Sequence, residues 1–199
     1  MFKSLVVLAL IFSSSPSSAG EISIFGLEIG KPLKIVELCD FSNGKYLWKL
    51  EKVCISNDRS GPGNRPWGPL TYEIAYPKNV LPNYVQPIGD MFVEVEVYEG
   101  KIERINFFTW GVEVQDIAYS DLKKKFSKPK SLNKVVVQNG YGAKFLKIEA
   151  KWSMKQGSIE FEGIENSSVD SGHVDVTSKT YDKLYSDWEK VNRVEKLPL

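Results

Sequence analysis

Residues 92–108 read FVEVEVYEGKIERINFF. Val93, Val95 and Val97 alternate strictly with Glu94 and Glu96, the period of a strand with one buried face and one wet face. EGK at residues 99–101 is a tight turn, and Ile102 to Phe108 returns. This stretch predicts an antiparallel hairpin, and the rest of the fold is read outward from it.

Downstream, Ala118, Leu122 and Phe126 recur at spacing four with Tyr119 beside them, which predicts a helix over 115–126. Its last turn carries Lys123, Lys124 and Lys125, where positive charge suits a helix C-terminus, and Pro129 stops it. Strands are expected at 134–137, 143–152, 158–164 and 173–177. In the longest, Leu146, Ile148, Ala150 and Trp152 oppose Lys147, Glu149 and Lys151. A closing helix is expected over 179–193 with Ser178 as N-cap and Tyr181, Leu184, Tyr185, Trp188 and Val191 as its apolar face. Upstream, 71–76 is a further strand. FGLEIG (Phe25–Gly30) leads into KPLKIVELC, read as a short helical segment before a Cys-bridged loop. WGVEVQ (Trp110–Gln115) repeats the aromatic-Gly-apolar-Glu-apolar order about 85 residues later. The expectation is an α+β protein with helices packed on antiparallel sheet, either one domain over 20–199 or two tandem half-repeats, 20–109 and 110–199.

MFKSLVVLALIFSSSPSSAGE combines Lys3, an apolar run from Leu5 to Phe12 and small residues ending at Ala19, the three-part order of a secretory signal cleaved after Ala19. The run is far shorter than the roughly 20 apolar residues that span a bilayer. No transmembrane segment is expected, and the location is periplasmic or secreted. Of 26 Lys+Arg, removing Lys3 leaves 25 against 25 Asp+Glu. That balance argues against a dedicated nucleic-acid binder. Cys39 and Cys54 are the two cysteines. Export and an even count predict a disulfide between them. With one histidine in the chain, a four-ligand zinc set would need carboxylates, so neither metal nor cofactor is expected.

FGLEIGKPLKIVELC resembles the opening of a group of exported bacterial proteins of unassigned function, whose mature chains begin Phe-Gly-x-x-x-Gly-x-Pro-Leu and then reach a Cys. Phe25, Gly26, Gly30, Pro32, Leu33 and Cys39 carry that match. The helix end Leu122, Phe126, Lys128 and Pro129 is similar to their second helix, with Ser127 standing where a Gly is usual. The tandem helix-and-sheet order is similar to the secreted β-lactamase inhibitory proteins and to small envelope-assembly lipoproteins. That likeness implies architecture alone, because fold analogy does not deliver function.

His173, between Asp170 and Asp175, suggests a hydrolytic triad, but strand alternation puts His173 and Asp175 on one face rather than converging from different elements. Glu94 with Glu96 and Glu160 with Glu162 alternate with apolar residues, the mark of a strand's wet face rather than of a glycosidase pair. Lys123, Lys124, Lys125, Lys128, Lys130 and Lys134 form a dense basic patch, either a solvated helix end or a contact for a polyanion such as a lipid head group or cell-wall polymer. SNDRSGPGNRPWGP (Ser56–Pro69) is read as a loop holding Arg59, Arg65 and Trp67, and a second loop over 77–87 adds Tyr84. Trp and Arg are common binding hot spots. These four are the expected contact residues of a non-enzymatic module that binds a protein or an envelope component. The alternatives are a hydrolase using a carboxylate pair and a structural envelope protein.

Overall fold

The structure is a computed structural model, and it describes residues 21–40, 49–59, 68–88, 92–165 and 168–194. The segment expected to be a signal, residues 1–19, and the expected contact residues Arg65 and Trp67 lie outside those residues. In chain order the elements are β1 (Ser23–Ile24), β2 (Leu27–Glu28), β3 (Cys54–Arg59), β4 (Leu70–Ala75), β5 (Val85–Gln86), β6 (Val93–Tyr98) and β7 (Lys101–Thr109). Then come α1 (Gln115–Phe126), β8 (Ser131–Gln138), β9 (Lys144–Ser153), β10 (Gly157–Glu162), β11 (Gly172–Ser178) and α2 (Lys179–Val194).

The hairpin expected at 92–108 is β6–β7, closed by Glu99 and Gly100 at positive φ. It lies near the middle of one antiparallel sheet of order β3-β4-β6-β7-β11-β10-β9-β8, with β5 pairing the end of β7. One sheet therefore runs through both halves of the chain, and the last strand of each half, β7 and β11, pair at its centre. The register carries the alternation seen in β6 across the sheet. Val95, Ile105, Val176, Ile159 and Trp152 stand side by side on five strands, each no more than 1% exposed. Full burial of such side chains contributes about 1.5–3 kcal/mol each.

This apolar face is covered from both halves. Ala118, Leu122 and Phe126 of α1 join its core, as the spacing-four pattern requires, and Tyr119 lies 6.2 Å from the Trp152 ring. From the first half come the β1–β2 hairpin and residues 31–38, with Phe25 set edge-on to Phe107 at 4.9 Å. A local expectation is corrected here. FGLEIG forms a two-residue hairpin with Phe25 and Gly26 at φ 53 and 81, and residues 31–40 run extended rather than helical. The same order at WGVEVQ enters a 3-10 turn (Gly111–Glu113) and then α1. A second correction concerns Ser56–Arg59, read as loop: these residues are the end of β3, which pairs with β4 across a bulge between Ile55 and Asn57.

The expected disulfide is present. Cys39 and Cys54 are joined with Cα atoms 5.1 Å apart. It clips the extended strap to the sheet edge, where Cys39 N–H donates to the Ile55 carbonyl and Ile55 N–H to the Glu37 carbonyl, both at 2.8 Å. At the other end of the chain, Ser178 caps α2 as expected, its Oγ accepting from Tyr181 N–H at 2.9 Å while donating to Glu103. The sheet approaches itself closely where β10 begins. A Cβ on Gly157 would stand 1.8 Å from the Thr177 carbonyl oxygen, so only glycine fits.

Candidate functional site

The register that aligns the apolar row also aligns a polar one on the opposite face: Glu94, Asn106, Asp175, Glu160 and Lys151, with Glu96 opposite Arg104. Arg104 is its hub, 2.6 Å from Asp175, 2.7 Å from Glu96 and 3.2 Å from Glu94. Burial alone would lower its pKa, but Asp175 and Glu96 outweigh burial and the net direction is up. Lys147, 2% exposed, is held the same way by Glu162 at 2.8 Å and Glu149 at 3.1 Å. Lys151 pairs with Glu160. The carboxylate pairs noted in the sequence thus share a sheet face as alternation required, each carboxylate ion-paired, although Glu96 is buried rather than wet.

Glu96 is buried because α2 crosses this polar face. The Tyr181 ring lies 5.9 Å from the Arg104 guanidinium carbon and its hydroxyl reaches Glu96 at 3.5 Å. Tyr181, Tyr185, Arg104, Glu160, Asp175 and Asp182 line a cavity of about 380 Å³ beside the helix. His173 neighbours it on the same face, opposite Phe108 and Glu162, with Nδ1 3.5 Å from Glu165. Among the described residues no group of His, Cys, Asp or Glu is placed to hold a metal ion.

The outer side of β9 is different. β10 ends at Glu162, opposite Glu149, and after a last bond from Gly163 N–H to the Ile148 carbonyl at 2.8 Å, Lys144 to Lys147 continue past it with β8 as their strand partner. The exposed inner edge of this two-stranded arm is closed by a side chain: Gln115 donates to the Leu146 carbonyl at 2.8 Å and accepts from Ile148 N–H at 3.0 Å. β8 itself is the sheet edge, eight residues in unbroken register from Ser131 opposite Lys151 to Gln138 opposite Lys144. Its apolar side chains stand in water: Leu132 is 45% exposed, Val135 41% and Val136 63%, with Leu146 at 48% beside them on β9. Exposed Lys128 and Lys130 enter the strand, and exposed Lys123, Lys124 and Lys125 end the helix before it.

Of the contact residues expected from sequence, Arg59 and Tyr84 are among the described residues, and they lie apart. Arg59 ends β3 at the far edge of the sheet. Tyr84, expected on a binding loop, is instead 7% exposed within the core, its backbone carbonyl accepting from Trp110 N–H at 3.1 Å. Burial, with Asp121 adding to it, pushes its hydroxyl pKa up to about 12. Sequence reasoning shortened β8 to Lys134–Val137 and missed its exposure. The signal was Val135, Val136 and Val137 in succession, a run with no polar face to turn to water. Arg104 was also missed, although it is the one cation between Ile102 and Phe108, opposite Glu94 and Glu96. No helix among the described residues is long and apolar enough to cross a membrane. Comparison with protein-family models, curated proteins and solved structures finds no match for this chain.

Proposed function

We propose that the protein is an exported binding module whose docking element is the β8 edge with its protruding β8–β9 arm, and whose partner is a protein or a cell-envelope component. The observation that carries this reading is the arm itself. Two strands alone are marginally stable in water, and this pair holds half-exposed valine and leucine on both faces. Covering each such side chain would recover about 1 kcal/mol. A long, flat, apolar edge is a template for pairing with another chain, which natural sheets otherwise blunt. The signal segment and the disulfide support an exported setting.

Affinity capture from the producing organism's envelope and medium fractions tests the reading. The mature chain should retain a component that a folded Val135→Asp variant loses. Retention by both would move the contact to Arg59, Arg65 and Trp67, for which Arg65→Ala/Trp67→Ala is the matching variant. Capture of nothing by either would end the binding-module reading.

A further inference from the structure

We propose that β8 takes an extended acidic strand: a segment of a partner protein, with Asp or Glu alternating with apolar residues, which lies along Ser131–Gln138 as the next strand of the sheet. This inference rests on the binding-module reading and names its partner class. Four features of the edge carry it.

The first is its hydrogen-bonding phase. Asn139 N–H donates to the Ala143 carbonyl at 3.0 Å, in register with β8–β9, so the odd-numbered residues of β8 bond inward to β9. Leu132, Lys134 and Val136 therefore turn their N–H and C=O groups outward, ready for a ladder. The second is its length. Eight residues without a register shift extend about 26 Å, enough for several inter-strand bonds. The third is its side chains. Leu132 and Val136 lie on one face and Val135 on the other, so apolar residues on an incoming strand meet apolar neighbours.

The fourth is charge. Lys123, Lys124, Lys125, Lys128, Lys130, Lys134 and Lys144 are all exposed along the helix end, the strand and its partner. Lys124 pairs with Asp121 at 3.2 Å, and the others make no side-chain ion pair among the described residues. Strand addition gives affinity through the main chain and specificity through side chains, and here the side-chain preference is for carboxylate. A second copy of this chain fits poorly, because residues 127–142 hold no carboxylate to meet these lysines and an antiparallel register centred on Lys134 sets that residue opposite itself.

The probes are two acetylated ten-residue peptides of alternating valine with glutamate or with lysine, and vesicles of phosphatidylglycerol. Hydrogen exchange at Leu132, Lys134 and Val136 is the readout, with affinity measured at low and high salt. The valine–glutamate peptide should slow exchange at those three amides, bind at least about tenfold tighter than the lysine peptide, and weaken as salt is raised. Val136→Pro removes an outward N–H without breaking a β8–β9 bond, so it should keep the fold and lose the peptide. Equal binding of the two peptides, or no protection at β8, would overturn the proposal. So would vesicle binding that leaves the β8 amides unprotected, which would make the lysines a site for anionic lipid. If Val135→Asp still abolishes capture while the acidic peptide fails to bind, the binding module stands and only its partner class is wrong.

Discussion

The two edges of the sheet are built in opposite ways. At one end β3 is six residues long, bulged between Ile55 and Asn57, and bridged at Ile55 by a strap that Cys39–Cys54 clips down. At the other end β8 is longer, has no register shift and pairs on its outer side with no other strand among the described residues, with leucine and valine about half exposed. Bulges and covering segments are how natural sheets prevent unwanted pairing. That the chain applies both at β3 and neither at β8 teaches that the two edges of one sheet are protected unequally, the asymmetry on which the proposed docking at β8 rests.

The largest break in this comparison comes from removing the clip. Cys39→Ser/Cys54→Ser should lower stability by roughly 3 kcal/mol, from a closed loop of about 15 residues, and deprotect the Ile55 and Cys39 amides before those of β9. Chemical denaturation with hydrogen exchange checks both, and an unchanged midpoint would show that the strap holds itself. Alkaline pH attacks the strapped half through Tyr76 and Tyr84. Burial holds both hydroxyls neutral in the folded state, Tyr84 up to about 12 and Tyr76 further up, while the unfolded groups ionise near 10. Stability is therefore full below about pH 10 and declines as pH rises through about 12. Tyr84→Phe should flatten that decline in a pH series of melting curves.

On the open side the effects are smaller. Gln115→Ala leaves the Leu146 carbonyl and Ile148 N–H without their side-chain partner and should cost about 2 kcal/mol, with faster exchange along the arm. Ser127 ends α1 at φ 67 and ψ −157, a region that suits glycine, so Ser127→Gly should raise stability by about 1 kcal/mol. Val135→Asp should cost no more than about 1 kcal/mol, since the side chain is already 41% exposed and the loss is mainly one of strand propensity. A much larger loss in thermal melting would mean that Val135 is packed, and the contrast between the edges would fail.

Much of the fold was legible because its elements repeat short periods. The β6–β7 hairpin, α1 at its observed bounds and the Ser178 cap each follow from neighbouring residue types, and the Cys39–Cys54 bond from there being two cysteines behind an expected export signal. FGLEIG was not legible. Its likeness to WGVEVQ covers a few positions, and Ile24 and Leu27 became a core-facing hairpin because the sheet beneath them needed cover. Tyr84 misled for a related reason: a Pro-rich surrounding marks a loop but not which side chains fold back beneath it. The apolar character of 135–137 was visible, whereas its exposure was not.

By itself the sequence determined the α+β class, the alternation that separates a core face from a polar face, the disulfide, and the expectation of export. These depend on covalent chemistry and on side-chain periods of two and about 3.6 residues, which act over a few residues. Tertiary structure alone decided strand order, the gathering of Glu94, Glu96 and Asp175 around Arg104, and which edge is strapped and which is open. Those features join residues up to about 80 apart in the chain, as Glu94 and Asp175 are through Arg104, and their partners are chosen by what remains to be covered once the sheet has formed.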